Sequence, residues 1–209
     1  MNHGLYAGEI DSLASRMLGD VTPYFATAED ARQETKTRYV PAVSWLGVFA
    51  RDQLPPLQEL RLATQERRPF ALVFNTDPAD RKGTHWLAMF GPSDGPLELF
   101  DSFALHPSLY SLVVDNSTSS SSSSSTLVYS RTPLQSLSSA VCGQYCLYFL
   151  HLRSHRTPFH FIVRQAKKAL VPDRFVYDYV HRLQLMYRVL NPCRRLCTGQ
   201  CCQMKCSFC

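Results

Sequence analysis

No run of about 18 consecutive apolar residues occurs in the chain, which excludes a helix of membrane-spanning length. The opening residues, MNHGLYAGEIDSLASRMLG, lack the basic start, apolar core and small-residue cleavage site of a secretory leader, so a soluble protein made in a reducing compartment is expected. Cysteine is missing from everything before Cys142. Of the eight cysteines, Cys142 and Cys146 are central, and Cys193, Cys197, Cys201, Cys202, Cys206 and Cys209 crowd the last 17 residues, which excludes a disulfide framework for the body of the fold. Charge is also sparse: 19% charged against 45% hydrophobic residues over 209 positions suits one domain with a substantial core, with or without a tail. The net charge of +5 permits contact with a polyanion without requiring it.

What is present is organised around Gln135 to Leu152, QSLSSAVCGQYCLYFLHL. Ser136, Ser138 and Ser139 can cap a helix start. The apolar run after them contains no proline, so Cys142 is expected in the first turn of a buried helix. Unpaired N–H groups and the positive end of the helix dipole favour a thiolate there. Gly143 leaves room beside the sulfur for an approaching substrate backbone. By position alone a cysteine in an apolar helix is more often packing than catalyst, so a nearby base has to be found.

Along the chain, Ile10, Leu13, Met17 and Leu18 have helical spacing and end at Gly19, which places a short amphipathic helix in an N-terminal segment 1–43. The main domain is read as 44–190. SWLGVF, 44–49, reads as a short strand, FALVF, 70–74, as a buried strand, and LVYS, 127–130, as a returning strand. A loop at 115–126 contains the polyserine tract Ser119–Ser125, which cannot bury enough apolar surface to order itself. Phe159–Leu170 has helical spacing with a basic face, and Asp173–Leu190 places Phe175, Tyr179, Leu183 and Met186 on one side of a helix. The tail 191–209 is read as a thiol-rich extension; its loose spacings fit a four-ligand zinc site poorly, so no metal is expected.

HWLAMF, 85–90, and LELFDSF, 97–103, flank a Gly/Pro loop and form an antiparallel hairpin on this reading. If Met89 faces Leu97, then Leu87 faces Leu99 and His85 faces Asp101, putting a base beside a carboxylate on an otherwise apolar face. A one-residue slip would separate them.

With His85, Asp101, Gln135 and Cys142 in view, the sequence resembles the adenovirus-type cysteine endopeptidases (adenain). It is most similar to the proteases of Maverick/Polinton elements and adintoviruses. The segments that carry the likeness are WLGVF, RPFALVFNTDPADRKGTHWLAMF, ELFDSF, CGQYCLYFLHLR with Gln135 upstream, and DRFVYDYV, within about 47–183. The resemblance implies an α+β cysteine protease fold related to the ubiquitin-like-protein proteases, with a mixed sheet packed against a central helix bearing the nucleophile. It implies Cys142 as nucleophile, His85 as general base, Asp101 as the orienting acid where adenovirus enzymes carry Glu, and Gln135 as oxyanion donor together with the Cys142 N–H. Trp86 is expected beside the site as a substrate contact, with a place in the core as the alternative.

The implied activity is processing of capsid precursors of a virus or virus-like element, in the host nucleus and the virion. A DNA activator is compatible with the basic charge and with Arg153, Arg156, Arg164, Lys167 and Lys168. A disulfide-linked peptide activator is not expected, because no cysteine precedes Cys142. Two alternatives stand beside this reading: a protease for a ubiquitin-like modifier, and an inactive copy acting as a binding module.

Overall fold

The computed structural model describes residues 4–19, 43–57, 59–60, 69–110, 112 and 127–190. The expected polyserine loop, most of the segment 20–43 and the cysteine-rich tail lie outside the described residues.

The described strands form one five-stranded sheet in sequence order: β1 (Ser44–Phe49), β2 (Phe70–Asn75), β3 (Trp86–Gly91), β4 (Glu98–Phe100) and β5 (Val128–Tyr129). The two outer pairings, β1 with β2 and β4 with β5, are parallel, and the two inner ones are antiparallel. Mixed pairing with segregated helices makes the fold α+β. The helices among the described residues include α1 (Ala7–Gly19), α2 (Cys142–Ser154), α3 (Phe159–Lys168) and α4 (Pro172–Leu190). Among the described residues no helix is long and apolar enough to cross a membrane.

Alternation along β2 and β3 divides the core in two. Ala71, Val73, Ala88 and Phe90 point toward α2, and Phe70, Leu72, Phe74, Leu87 and Met89 point away from it. The first face holds α2 against the sheet. Residues Cys142 to His151 of that helix are all buried, as expected of a helix apolar on every side. Its buried Tyr145, Leu147, Tyr148, Phe149 and Leu150 each contribute roughly 1.5–3 kcal/mol by leaving water. Leu60, Tyr110 and Leu112 pack with the second face.

The N-terminal helix forms where its spacing places it, burying Ile10, Leu13, Met17 and Leu18 against the same core as α2. The Trp45 indole N–H donates to Asp11 Oδ1 at 2.8 Å, tying α1 to β1. A bulge between Trp45 and Gly47 turns that strand, and Gly47 supplies the positive φ of 116°.

Three local readings are corrected. The hairpin pairs Met89 with Leu99 and Ala88 with Phe100, two residues away from the expected register. Strand β4 stops at Phe100, because Asp101 opens a turn in which Ala104 adopts φ 55° and donates its N–H to the Asp101 carbonyl. Because side chains alternate with period two, the displacement by two kept every residue on its expected face.

The serines do not cap α2. Its N-cap is Val141, with no side-chain cap, and Ser136 and Ser139 bond each other in the preceding turn. The buried stripe of α4 is Val176, Val180, Leu183 and Tyr187, one residue round from the expected Phe175, Tyr179 and Met186. Phe175 and Tyr179 instead flank it, edge-on to Tyr148.

Candidate active site

Four of the expected site residues line one cleft of about 650 Å³: His85, Trp86, Gln135 and Cys142. Asp101 stands behind His85. His85 comes from the turn entering β3, Asp101 from the turn leaving β4, and Cys142 from the first residue of α2. All three therefore lie just outside or at the ends of regular elements, where strand alternation no longer dictates where a side chain goes.

His85 Nε2 lies 2.8 Å from Asp101 Oδ1, both side chains buried. A carboxylate can only accept, so Nε2 carries a hydrogen and Nδ1 is the nitrogen left to take up or release a proton. That second nitrogen is buried and has no hydrogen-bond partner among the described residues, and the His85 ring interacts with the Cys142 thiol. The imidazole ring also stacks at a tilt on Phe103, with centroids 4.6 Å apart, which fixes its plane.

Asp101 is held by four donors. Oδ1 accepts from His85 and from the Phe103 N–H at 2.8 Å; Oδ2 accepts from the Leu105 N–H at 3.0 Å and the Tyr110 hydroxyl at 2.7 Å. Ser130 fixes the backbone beneath it, accepting the Asp101 N–H and donating to its carbonyl. Burial alone pushes the Asp101 carboxyl pKa up, but these donors and the His85 charge outweigh it and hold the pKa below the ordinary value.

The same contest shifts the other two groups. Burial lowers the His85 pKa, but the hydrogen bond to Asp101 and the Cys142 sulfur more than reverse this, bringing it to about 9. Burial raises the Cys142 pKa, yet His85 and the backbone N–H groups of Trp86 and Gly143 bring it below the usual thiol value. The directions agree on a resting thiolate–imidazolium pair. Cys146, one turn further on and fully buried, has its thiol pKa pushed well up.

Gln135 is fixed at both ends of its amide. Its Nε2 donates to the Ser139 carbonyl at 2.8 Å, and its Oε1 accepts from the Ser102 hydroxyl at 2.6 Å. The loop that carries it is anchored to α4, since Asp173 accepts from both the N–H and hydroxyl of Ser136 and from the Tyr145 hydroxyl. The N–H of Cys142 belongs to the first turn of α2, whose N–H groups have no acceptor within the helix.

The two remaining residues, Gly143 and Trp86, both meet the N-terminal segment. A side chain at Gly143 would lie 3.0 Å from Ile10 Cδ1 and 3.2 Å from Leu5 Cβ, so the space it leaves admits the N-terminal segment. Trp86 lines the cleft, packs on the main core and donates its indole N–H to the Leu5 carbonyl at 3.2 Å, combining the two places weighed for it.

Of the basic residues read as a face for a polyanion, Arg153 is occupied. Its guanidinium holds buried Glu98 at 2.6 and 3.0 Å and covers the Phe90 ring. Arg156, Arg164, Lys167 and Lys168 are exposed. Among the described residues there is no group of three or more His, Cys, Asp or Glu side chains that could hold a metal ion.

Sequence reasoning missed Tyr110, Ser102, Ser130 and Phe103. Ser102 and Phe103 follow Asp101 directly, a signal of proximity if nothing more, whereas Tyr110 and Ser130 reach it through turns that no spacing rule predicts. No protein-family model matches the chain, and no curated protein matches its sequence.

Proposed function

We propose that the chain is a cysteine endopeptidase, of a fold related to the ubiquitin-like-protein proteases, that processes capsid precursors of a virus or virus-like transposable element. The observation that carries this reading is the imidazole of His85. One nitrogen is committed to a buried carboxylate, the other has no hydrogen-bond partner among the described residues, and the ring shares an open cleft with a cysteine at a helix start.

In this reading the Cys142 thiolate attacks the scissile carbonyl and forms the C–S bond. The carbonyl oxygen becomes an oxyanion, which receives hydrogen bonds from the Cys142 N–H and from the Gln135 amide. An amide NH2 carries two hydrogens and Ser139 takes one, so the other is available to the oxyanion. As the tetrahedral centre collapses, the His85 imidazolium gives its Nδ1 proton to the departing amine. His85 then draws a proton from water, whose oxygen displaces the thiolate from the acyl group and restores the resting pair. Asp101 holds the tautomer and stabilises the cation throughout.

The exposed members of the basic set read from the sequence, Arg156, Arg164, Lys167 and Lys168, are groups a DNA activator would contact. The setting is then the host nucleus and the virion. The test is co-expression with a capsid precursor. Cleavage by the wild-type chain and none by Cys142→Ala is expected, and undiminished cleavage by Cys142→Ala rules the assignment out. Cleavage of a ubiquitin-like-modifier fusion in place of the precursor would move the substrate class and leave the chemistry.

A further inference from the structure

Two consecutive residues at the end of β4 support opposite sides of the cleft. Asp101 holds His85, and Ser102, 1% exposed, holds Gln135. The orientation of the Gln135 amide follows from its partners. The Ser139 carbonyl oxygen can only accept, so the end facing it at 2.8 Å must be Nε2. The other end is then Oε1, and the hydroxyl 2.6 Å from it must donate. Ser102 also anchors the backbone of the same loop, because its carbonyl accepts the N–H groups of Leu134 at 2.9 Å and Gln135 at 3.1 Å.

We infer that Ser102 is a positioning residue: its hydroxyl locks the Gln135 side chain so that the amide presents N–H, and not oxygen, to a developing oxyanion. The inference rests on the reading of Gln135 as oxyanion donor. Without the hydroxyl, Oε1 loses its only hydrogen-bond donor among the described residues, and the Ser139 carbonyl is left as the one hold on the amide, which can then turn more readily. A flipped amide would set a carbonyl oxygen against negative charge, so the cost falls on the transition state and spares substrate binding.

Two measurements on the full chain test this. The first needs no turnover: with 15N-labelled glutamine side chains, the Gln135 NH2 signals, assigned by their loss in Gln135→Ala, should be two sharp, slowly exchanging resonances. They should broaden or exchange rapidly in Ser102→Ala. The second uses the fluorogenic peptide that the wild-type chain cleaves fastest from a mixed-position library. Ser102→Ala should lower kcat about tenfold with KM unchanged, less than the roughly hundredfold to thousandfold loss when an oxyanion donor itself is removed. In a Gln135→Ala background the same substitution should cost nothing further.

Melting temperature and the pH profile of Cys142 alkylation should stay near wild type, since Asp101 and His85 are untouched. Unchanged Gln135 signals, or equal falls in kcat in both backgrounds, would overturn the inference. A wild-type chain that cleaves no peptide counts against the peptidase reading instead, and the labelled-glutamine result still decides what Ser102 does.

Discussion

The two ends of α2 bury one histidine each beside them, and the two are driven in opposite directions. At the N-terminal end, His85 is 8% exposed and its pKa is raised to about 9; at the C-terminal end, about 14 Å along at 1.5 Å per residue, His151 is also 8% exposed and its pKa is lowered to about 3. Burial is equal, so burial does not decide. At His85 the desolvation is outweighed by a carboxylate and a thiolate. At His151 desolvation is reinforced by His155, its ring centred 4.5 Å away and tilted, and the His151 Nδ1 meets the Tyr179 hydroxyl at 2.7 Å. The favourable dipole at a helix C-terminus, at most about 2 kcal/mol, does not rescue the cation. The histidine at one end of the helix is built to carry a charge and the histidine at the other to stay neutral.

The largest effect that would break this contrast is at the thiols. Cys142→Ala should lower kcat by about a millionfold, as removal of a nucleophile from a cooperating set does. Cys146→Ala, one turn away with its thiol pKa pushed well up, should leave kcat within a few-fold. Site-resolved iodoacetamide labelling of the native chain should modify Cys142 and spare Cys146. Equal labelling would show that the charge pair does not form.

Next in size is Asp101→Asn. The four donors around this side chain demand acceptors at both oxygens, and an amide can offer only one. Either the Asn NH2 collides with the Leu105 N–H and Tyr110 hydroxyl, or it faces His85 and forces the hydrogen onto Nδ1, where it cannot accept from the thiol. Turnover should fall roughly a hundredfold to ten-thousandfold. The alkaline limb of the pH–rate profile should also move down from about 9 toward 6.5, making the two ends of the helix more alike. An unchanged alkaline limb would mean that His85 does not titrate there.

Much of this contrast was legible in the sequence at the Cys142 end and little of it elsewhere. Cys142 at a helix start and the His85–Asp101 pair followed from apolar spacing and strand alternation. The pair forms although the register is displaced by two, because both residues sit just beyond the strand ends, where the chain is free to bring them together. The absent serine cap could not be foreseen: Ser136 turns to Asp173, 37 residues away, and only the folded chain brings that carboxylate near. The neutralised Arg153 was invisible for the same reason, its partner Glu98 lying 55 residues earlier in β4. Local pattern finds residues that face a core; long-range pairing decides which charges remain free.

Arg153 sharpens the comparison from the C-terminal side. Burial raises the Glu98 pKa and the guanidinium opposes it, so the two charges are a satisfied buried pair joining α2 to β4. Arg153→Ala leaves Glu98 without a counter-charge and should cost about 3–5 kcal/mol. Arg153→Met with Glu98→Leu should cost far less, because neither variant side chain strands a charge. Urea denaturation of the three chains checks this. Equal losses in the single and double variants would show that packing over Phe90, and not the ion pair, is what matters.

The smallest effect separates the two histidines by their pH signatures. Between pH 6.5 and 9 the raised His85 pKa makes the folded chain hold a proton that the unfolded imidazole lacks, and the lowered Cys142 pKa acts in the opposite sense, so the two shifts at this site offset each other. His151 has no such compensation. Below 6.5 the unfolded chain protonates it and the folded chain does not until about 3, so stability falls as pH drops through that range. At pH 5 the loss from His151 alone is about 2 kcal/mol, at 1.36 kcal/mol per pH unit below 6.5. His151→Gln keeps an acceptor for the Tyr179 hydroxyl and removes the titration. Its urea midpoint should therefore fall less than that of the wild type between pH 7 and pH 5, and parallel falls would mean that His151 is protonated in the folded chain after all.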